Sequence, residues 1–343
     1  MLGDPHAIPD TAFPADGTPA DQLQFLLHYA ALAPSVLNTQ PWRFAIERNL
    51  VRLYADRTRQ LRHLDPDGRE LTVSCGAALL NLRVAARHFH RGTEAHPVPV
   101  ADEPDLLAVL MLHGTAAPTE ADEQLFHAII QRRTNRHPFA EGPVPKKVLD
   151  DLERVAREEA SRLIVLTGAA EKDAVARLVE EGIRLQGNDP RIAAELDAWL
   201  RPPGDPRRDG VSDDVQGAWD RRAQVRTPTS SVAVGKRELV TQAPAVLVLT
   251  TDTDGPADWL AAGQALGRVL LASAARDLQA SYVNQVVEVA ALRRELIGLI
   301  GGGFPQVVFR VGFPARHEGT PRRHMQDVLI HDPEAADPPR DNG

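Results

Sequence analysis

Gln131-Arg132-Arg133-Thr134-Asn135-Arg136-His137-Pro138-Phe139 sits near the middle of a 343-residue chain and closes a short amphipathic run. Leu125, Phe126, Ile129 and Ile130 share one helical face. Thr119 and Asp122, just after Pro118, fit a capping box at its start. Arg132, Arg133 and Arg136 then crowd five positions of a chain whose formal net charge is -8. Fixed forks of N–H donors this close together suit a phosphate dianion, with Thr134 adding a hydroxyl. The same spacing fits a solvated helix end whose arginines offset the helix dipole. The stretch alone leaves both readings open.

The bulk properties narrow the field. The length allows one large domain or two ordinary ones, and a hydrophobic content of 43% supports a proper core. The acidic balance argues against nucleic acid or an anionic membrane as main partner. Lysine occurs only at 146, 147, 172 and 236, so arginine richness runs through the whole chain and no single arginine is diagnostic. One cysteine, Cys75, excludes an internal disulfide or a thiolate metal cluster. Met-Leu-Gly-Asp-Pro-His lacks the pattern of a signal peptide, and no apolar stretch reaches membrane-span length. A cytoplasmic protein is expected.

Along the chain, residues 1–17 read as a loose arm rich in Pro, Asp and Ala. Thr18, Pro19 and Asp21 open a helix that runs to about Ala33 and buries Leu23, Leu26, Leu27 and Ala30. Pro34 to Trp42 follows as a loop framed by prolines. Alternation at Trp42, Phe44, Ile46 and at Val51, Leu53, Ala55, around Arg48-Asn49, predicts a hairpin. Leu71 to Phe89 is helical and apolar nearly all round, hence buried, and Leu106 to Leu112 is a strand. Parts recur in the second half. Cys75-Gly76-Ala77-Ala78-Leu79 and Ala262-Gly263-Gln264-Ala265-Leu266 each begin a long helix that leads to an apolar strand closed by glycine, Val109–Gly114 and Val307–Gly312. The expected organisation is two pseudo-symmetric halves, 18–118 and 119–335. The second half contains an insertion at about 184–235 that suits a lid.

At Pro34-Ser35-Val36-Leu37-Asn38-Thr39-Gln40-Pro41-Trp42 the chain resembles the FMN-dependent nitroreductases, whose Pro-Ser-x-x-Asn-x-Gln-Pro-Trp loop lies against the flavin. Arg132 to Arg136 is similar to the Arg-x-Ser/Thr-x-Arg/Lys motif that opens members of this family. Asn284-Gln285-Val286-Val287-Glu288 resembles their loop beside the flavin ring. Val311 to Pro314 with Thr320-Pro321-Arg322-Arg323 resembles their C-terminal phosphate-binding arginines. The resemblance implies an α+β nitroreductase-like fold, with mixed or antiparallel sheets flanked by helices. The family's opening motif lies mid-chain here. The first half holds the Asn38 loop but no arginine motif, and the second half the reverse. This order resembles the Acg-type branch, in which one chain folds like a two-subunit nitroreductase, and it implies one FMN per chain.

Further implications follow from the resemblance. Arg132 and Thr134, with Arg322 or Arg323, hold the FMN phosphate, while Arg133 either joins them or is structural. Arg136 supplies a cation near flavin N1 and the C2 carbonyl. Pro34, Ser35, Leu37 and Asn38 cover one edge or face of the ring, Asn284 and Gln285 lie beside it, and Gln40 and Trp42 fix the loop. No side chain is required as catalytic acid or nucleophile. The implied activity is NAD(P)H-dependent reduction of nitro compounds, quinones or similar acceptors by ping-pong hydride transfer. The alternative is storage or sequestration of FMN beneath a lid, as is suspected for the Acg-type branch. The chain is expected as a monomer (an internal pseudo-dimer) or a dimer. A metal site is not expected, since His88 and His90 face different ways and His317 and His324 lack acidic partners. Gly301-Gly302-Gly303 follows a helix, so it reads as a C-cap and turn instead of a dinucleotide fingerprint.

Overall fold

A computed structural model describes residues 8–97, 103–202, 204–212, 229–314 and 320–330, at 212 and 229–234 for the backbone alone. In chain order the elements are α1 (Pro19–Ala30), β1 (Trp42–Glu47), β2 (Leu50–Ala55), α2 (Arg69–His88), β3 (Arg91–Pro97), β4 (Leu106–Thr115) and α3 (Glu120–Gln131). There follow α4 (Lys146–Arg157), β5 (Arg162–Leu166), α5 (Ala169–Gly187), α6 (Pro190–Ala198), β6 (Leu200–Arg201) and β7 (Val211–Ser212). The chain continues through α7 (Thr229–Thr241), β8 (Ala245–Thr251), α8 (Pro256–Ala274), β9 (Gln279–Tyr282), α9 (Gln285–Glu288), α10 (Ala290–Ile300), β10 (Phe304–Gly312) and β11 (Leu329–Ile330).

Local chemistry explains most boundaries. Thr18 and Asp21 form the capping box of α1, with Pro19 at its first position, and Thr119 and Asp122 do the same for α3. Arg48 takes the left-handed conformation in the β1–β2 turn, and Gly301 ends α10 in that conformation. Several expected limits shift outward. The buried helix starts at Arg69, the second long helix starts at Pro256, and the closing strands run from Leu106 to Thr115 and from Phe304 to Gly312. Pro256 after Gly255, with Asp258 reaching back to the Gly255 N–H, supplies the earlier start. Ile130, expected on the apolar face of α3, is instead 39% exposed at the margin of the stripe. Most of residues 8–17, expected within a loose arm, are exposed, and Phe13 of this segment stacks on Phe89 at 4.3 Å.

The strands form a mixed sheet, β11-β1-β2-β4-β3, and an antiparallel sheet, β5-β8-β10-β9. β11 runs parallel to β1, pairing Phe44 with Leu329, so the end of the described chain returns to the first sheet. One buried cluster joins Phe44, Leu53 and Leu110 of the first sheet, through α2 and α8, to Leu247 and Phe309 of the second. Along β8, Leu247 and Leu249 face this cluster, while Val246 and Val248 face another with Val179 and Ile183 of α5. That two-sided burial is why the strand is apolar without alternation. The central helices α2 and α8 touch at Gly76 and Gly263, where a Cβ on Gly263 would meet the Gly76 Cα at 2.8 Å. Among the described residues no helix is long and apolar enough to cross a membrane.

Candidate functional site

The arginine stretch leaves α3 as extended chain because its backbone is recruited by the second sheet. The Arg132 N–H closes the last turn of α3 on the Ala128 carbonyl. The Asn135 N–H then donates to the Ala280 carbonyl of β9 at 2.8 Å, and Phe139 bridges to Pro314 beyond β10. Buried Arg310 donates to the His137 carbonyl at 2.8 Å and lies 4.7 Å from the Phe139 ring centre. Thr134 and Arg136 thereby reach the wall of a cleft enclosing about 980 Å³ of empty space, part of it open to solvent.

The opposite wall is the proline-framed loop. Pro34, Ser35 and Leu37 line the cleft. Leu37, Asn38 and Gln40 have φ of 47°, 56° and 51°, a left-handed run that is costly for Leu and Gln. Surrounding bonds impose it. Asn38 Nδ2 donates to the carbonyls of Gly210 and Pro321, both at 3.1 Å, while its Oδ1 accepts from Arg322 Nη1 at 3.2 Å. Gln40 Nε2 donates to the Arg208 carbonyl at 2.8 Å, and its Oε1 accepts the Arg323 N–H at 2.8 Å. Asn38 and Gln40 therefore clamp the loop to segments 208–210 and 321–323, and neither lines the cleft.

The other singled-out residues divide the same way. Asn284 lines the cleft, donating to Glu70 Oε1 and accepting the Val308 N–H, both at 2.9 Å. Gln285 is buried where α5 passes close; a Cβ on Gly182 would meet the Gln285 carbonyl oxygen at 2.7 Å. Arg133 Nη1 donates to the carbonyls of Ile130 and Arg132, a helix-end role. Arg323 is occupied with the Gln40 and Asp327 carbonyls. Arg132 and Arg322 are 7% and 2% exposed, and among the described residues neither forms an ion pair with a carboxylate. Burial, then the like charges of Arg132, Arg133 and Arg136, push the Arg322 guanidinium down to about 9. Burial likewise lowers Arg132. Two buried guanidinium groups, Arg132 and Arg322, without a carboxylate partner among the described residues fit an anionic group such as a phosphate.

Glu70, Ser74, Lys236 and Tyr282, which the sequence does not single out, also line the cleft, as does Glu288 at the end of the Asn284 motif. Glu70 carried a usable signal, an acid in the first turn of a helix otherwise apolar nearly all round. Lys236 carried none, because only the fold brings α7 to the cleft. The insertion also takes a definite place in its described part. Asp209 pairs with Arg59 and Arg201, whose guanidinium groups lie 5.1 and 5.5 Å from the Trp199 ring centre. Val211 joins Leu37, Leu61, Leu64 and Leu196 in a small apolar cluster and forms part of the cleft wall. Residues 213–228 of the expected lid lie outside the described residues. His88, discounted as a metal ligand, bonds Glu123 at 2.7 Å and stacks on Phe126.

The profile of the nitroreductase family matches residues 129–313. From Mycobacterium tuberculosis (strain ATCC 25618 / H37Rv), the protein named "Putative NAD(P)H nitroreductase acg" is 30% identical over 317 residues, covering 90% of this chain and 95% of its own. From the same strain, Rv3131, named in the same terms, is 29% identical over 331 residues, covering 90% and 91%. This chain belongs to the nitroreductase family. Among solved structures, the FMN and NADPH-dependent nitroreductase NfnB from Sphigopyxis sp. strain HMH overlaps 61% of this chain and 98% of its own at 17% identity, with a TM-score of 0.41.

Proposed function

We propose that this chain is an oxidoreductase that holds FMN in the cleft, takes hydride from NAD(P)H and reduces a nitro compound, quinone or similar small acceptor. One observation carries the proposal: Arg132 and Arg322, buried and without carboxylate partners among the described residues, lie close enough to act electrostatically on Tyr282 of a cleft whose wall also bears Thr134 and Arg136. A phosphate offsets the desolvation of these guanidinium groups through charge-assisted hydrogen bonds, each worth about 1.5–3 kcal/mol. Two or three such bonds support affinity of about micromolar or better. When bound, FMN supplies the hydride chemistry, and the protein's part is binding, orientation and electrostatics. Arg132, Thr134 and Arg322 serve the phosphate. Arg136 contributes positive charge at the wall and so stabilises negative charge gained there. Pro34, Ser35 and Leu37 cover the cleft from the other side, while Asn38 and Gln40 hold that cover in its left-handed conformation. The names carried by the mycobacterial relatives support NAD(P)H as donor.

A second reading, FMN storage or sequestration, is favoured by the clamping of residues 208–211 onto the Pro34–Gln40 loop, which narrows access. The anaerobic visible spectrum of the FMN-loaded protein separates the two. Bleaching of the flavin bands by NADPH or NADH is the expected result. Bands that persist with both donors yet vanish with dithionite would replace turnover by storage.

A further inference from the structure

We propose that the Tyr282 hydroxyl is a binding group of the cleft, donating a hydrogen bond to an oxygen acceptor of the bound flavin nucleotide. The inference rests on the FMN reading above. Tyr282 ends β9, two residues beyond Ala280, whose carbonyl accepts the Asn135 N–H of the arginine loop at 2.8 Å. Its ring sits 6.4 Å from that of Phe309, its partner across the sheet, and it lines the cleft with Thr134 and Arg136. Its oxygen is shut off from water, yet it makes no hydrogen bond to any described residue. A buried tyrosine hydroxyl normally finds a partner, and leaving that bond unmade is costly. If Tyr282 were only core filling, phenylalanine would serve better.

The surroundings define the acceptor. Arg132, Arg136 and Arg322 lie close enough to act on the phenol electrostatically, so negatively charged or carbonyl oxygens are drawn to this end of the cleft. Burial first, tempered by those arginines and reinforced by Glu70, pushes the phenol up to about 12. It therefore stays protonated, a neutral donor, throughout the physiological range. It adds a directional hydrogen bond where the arginines supply charge.

The test is Tyr282→Phe, read by equilibrium FMN binding and by thermal unfolding of the ligand-free protein. One neutral hydrogen bond predicts about fivefold weaker FMN binding. Ligand-free Tyr282→Phe should melt at or above the wild-type temperature, because the substitution removes an unsatisfied polar group. Riboflavin then locates the acceptor: an equal loss places it on the ring or ribityl chain, and a loss confined to FMN places it on the phosphate. A wild type that binds FMN and a Tyr282→Phe variant that binds it equally well would overturn the proposal. A lowered melting temperature in the ligand-free variant would also overturn it, by revealing a partner within the protein. A wild type that binds no FMN would instead remove the FMN reading, and this one with it.

Discussion

At the scale of single residues, the informative feature is where charge is left uncompensated. Most of this chain's arginines do ordinary work: Arg154 pairs with Glu158 on the exposed face of α4, and Arg268 pairs with Glu159. Arg132 and Arg322 are buried beside one another's charge, and the sign follows from that. A guanidinium whose charged form is disfavoured in the fold costs stability at neutral pH, and an anion removes the cost. Arg132→Met should therefore leave the ligand-free melting temperature little changed while weakening FMN binding roughly 10- to 100-fold, the worth of a charge-assisted bond. Arg154→Met, the surface control, should leave both the melting temperature and FMN binding unchanged. Parallel flavin titrations decide this, and equal affinities for the two variants would remove Arg132 from the site. The arginine stretch was legible in the sequence as a cluster. Its choice between helix-end and phosphate roles was not, because arginines elsewhere in this chain have the same local spacing and different surroundings.

At the scale of elements, the contact between α2 and α8 sets how closely the two sheets can share a core. Gly76 and Gly263 let the helix backbones meet, and a Cβ on Gly76 would run into the Leu260 carbonyl and lie 2.9 Å from the Gly263 Cα. Backbone cannot yield as a flexible side chain can. Gly76→Ala should therefore destabilise the protein by about 1–3 kcal/mol, the usual range for overpacking, which urea unfolding would register as a lower midpoint. An unchanged midpoint would mean the helices can separate freely at this crossing. Sequence showed the two glycines in similar settings, Cys75-Gly76-Ala77 and Ala262-Gly263-Gln264. It did not show that they face each other. Helix starts were legible where capping chemistry was local, as at Thr18 and Thr119, and less so at Arg69, where Gly68 offers no side-chain cap.

At the scale of the molecule, the cleft is assembled from segments far apart in the chain. Residues 34–37 come from one side, 134–136 and 281–284 from another, and Val211 from the insertion. The Asn38-type loop and the arginine motif each occur once in the sequence, in opposite halves. We therefore expect one FMN per chain, measured by absorbance titration to saturation. A ratio of two would require a second phosphate site with none of the arginines discussed here.

The sequence by itself determined the family resemblance, the capped helices, the hairpin, and the residue types from which a phosphate site can be built. These depend on local spacing and on side-chain chemistry, which a linear chain displays. Only the tertiary structure decided the rest. It turned Asn38 and Gln40 into clamps on 208–210 and 321–323. It also brought β11 beside β1 and set Tyr282 and Glu70 on the cleft wall. Those outcomes depend on which backbone carbonyls and charges arrive nearby from more than a hundred residues away, and no local pattern encodes that arrival.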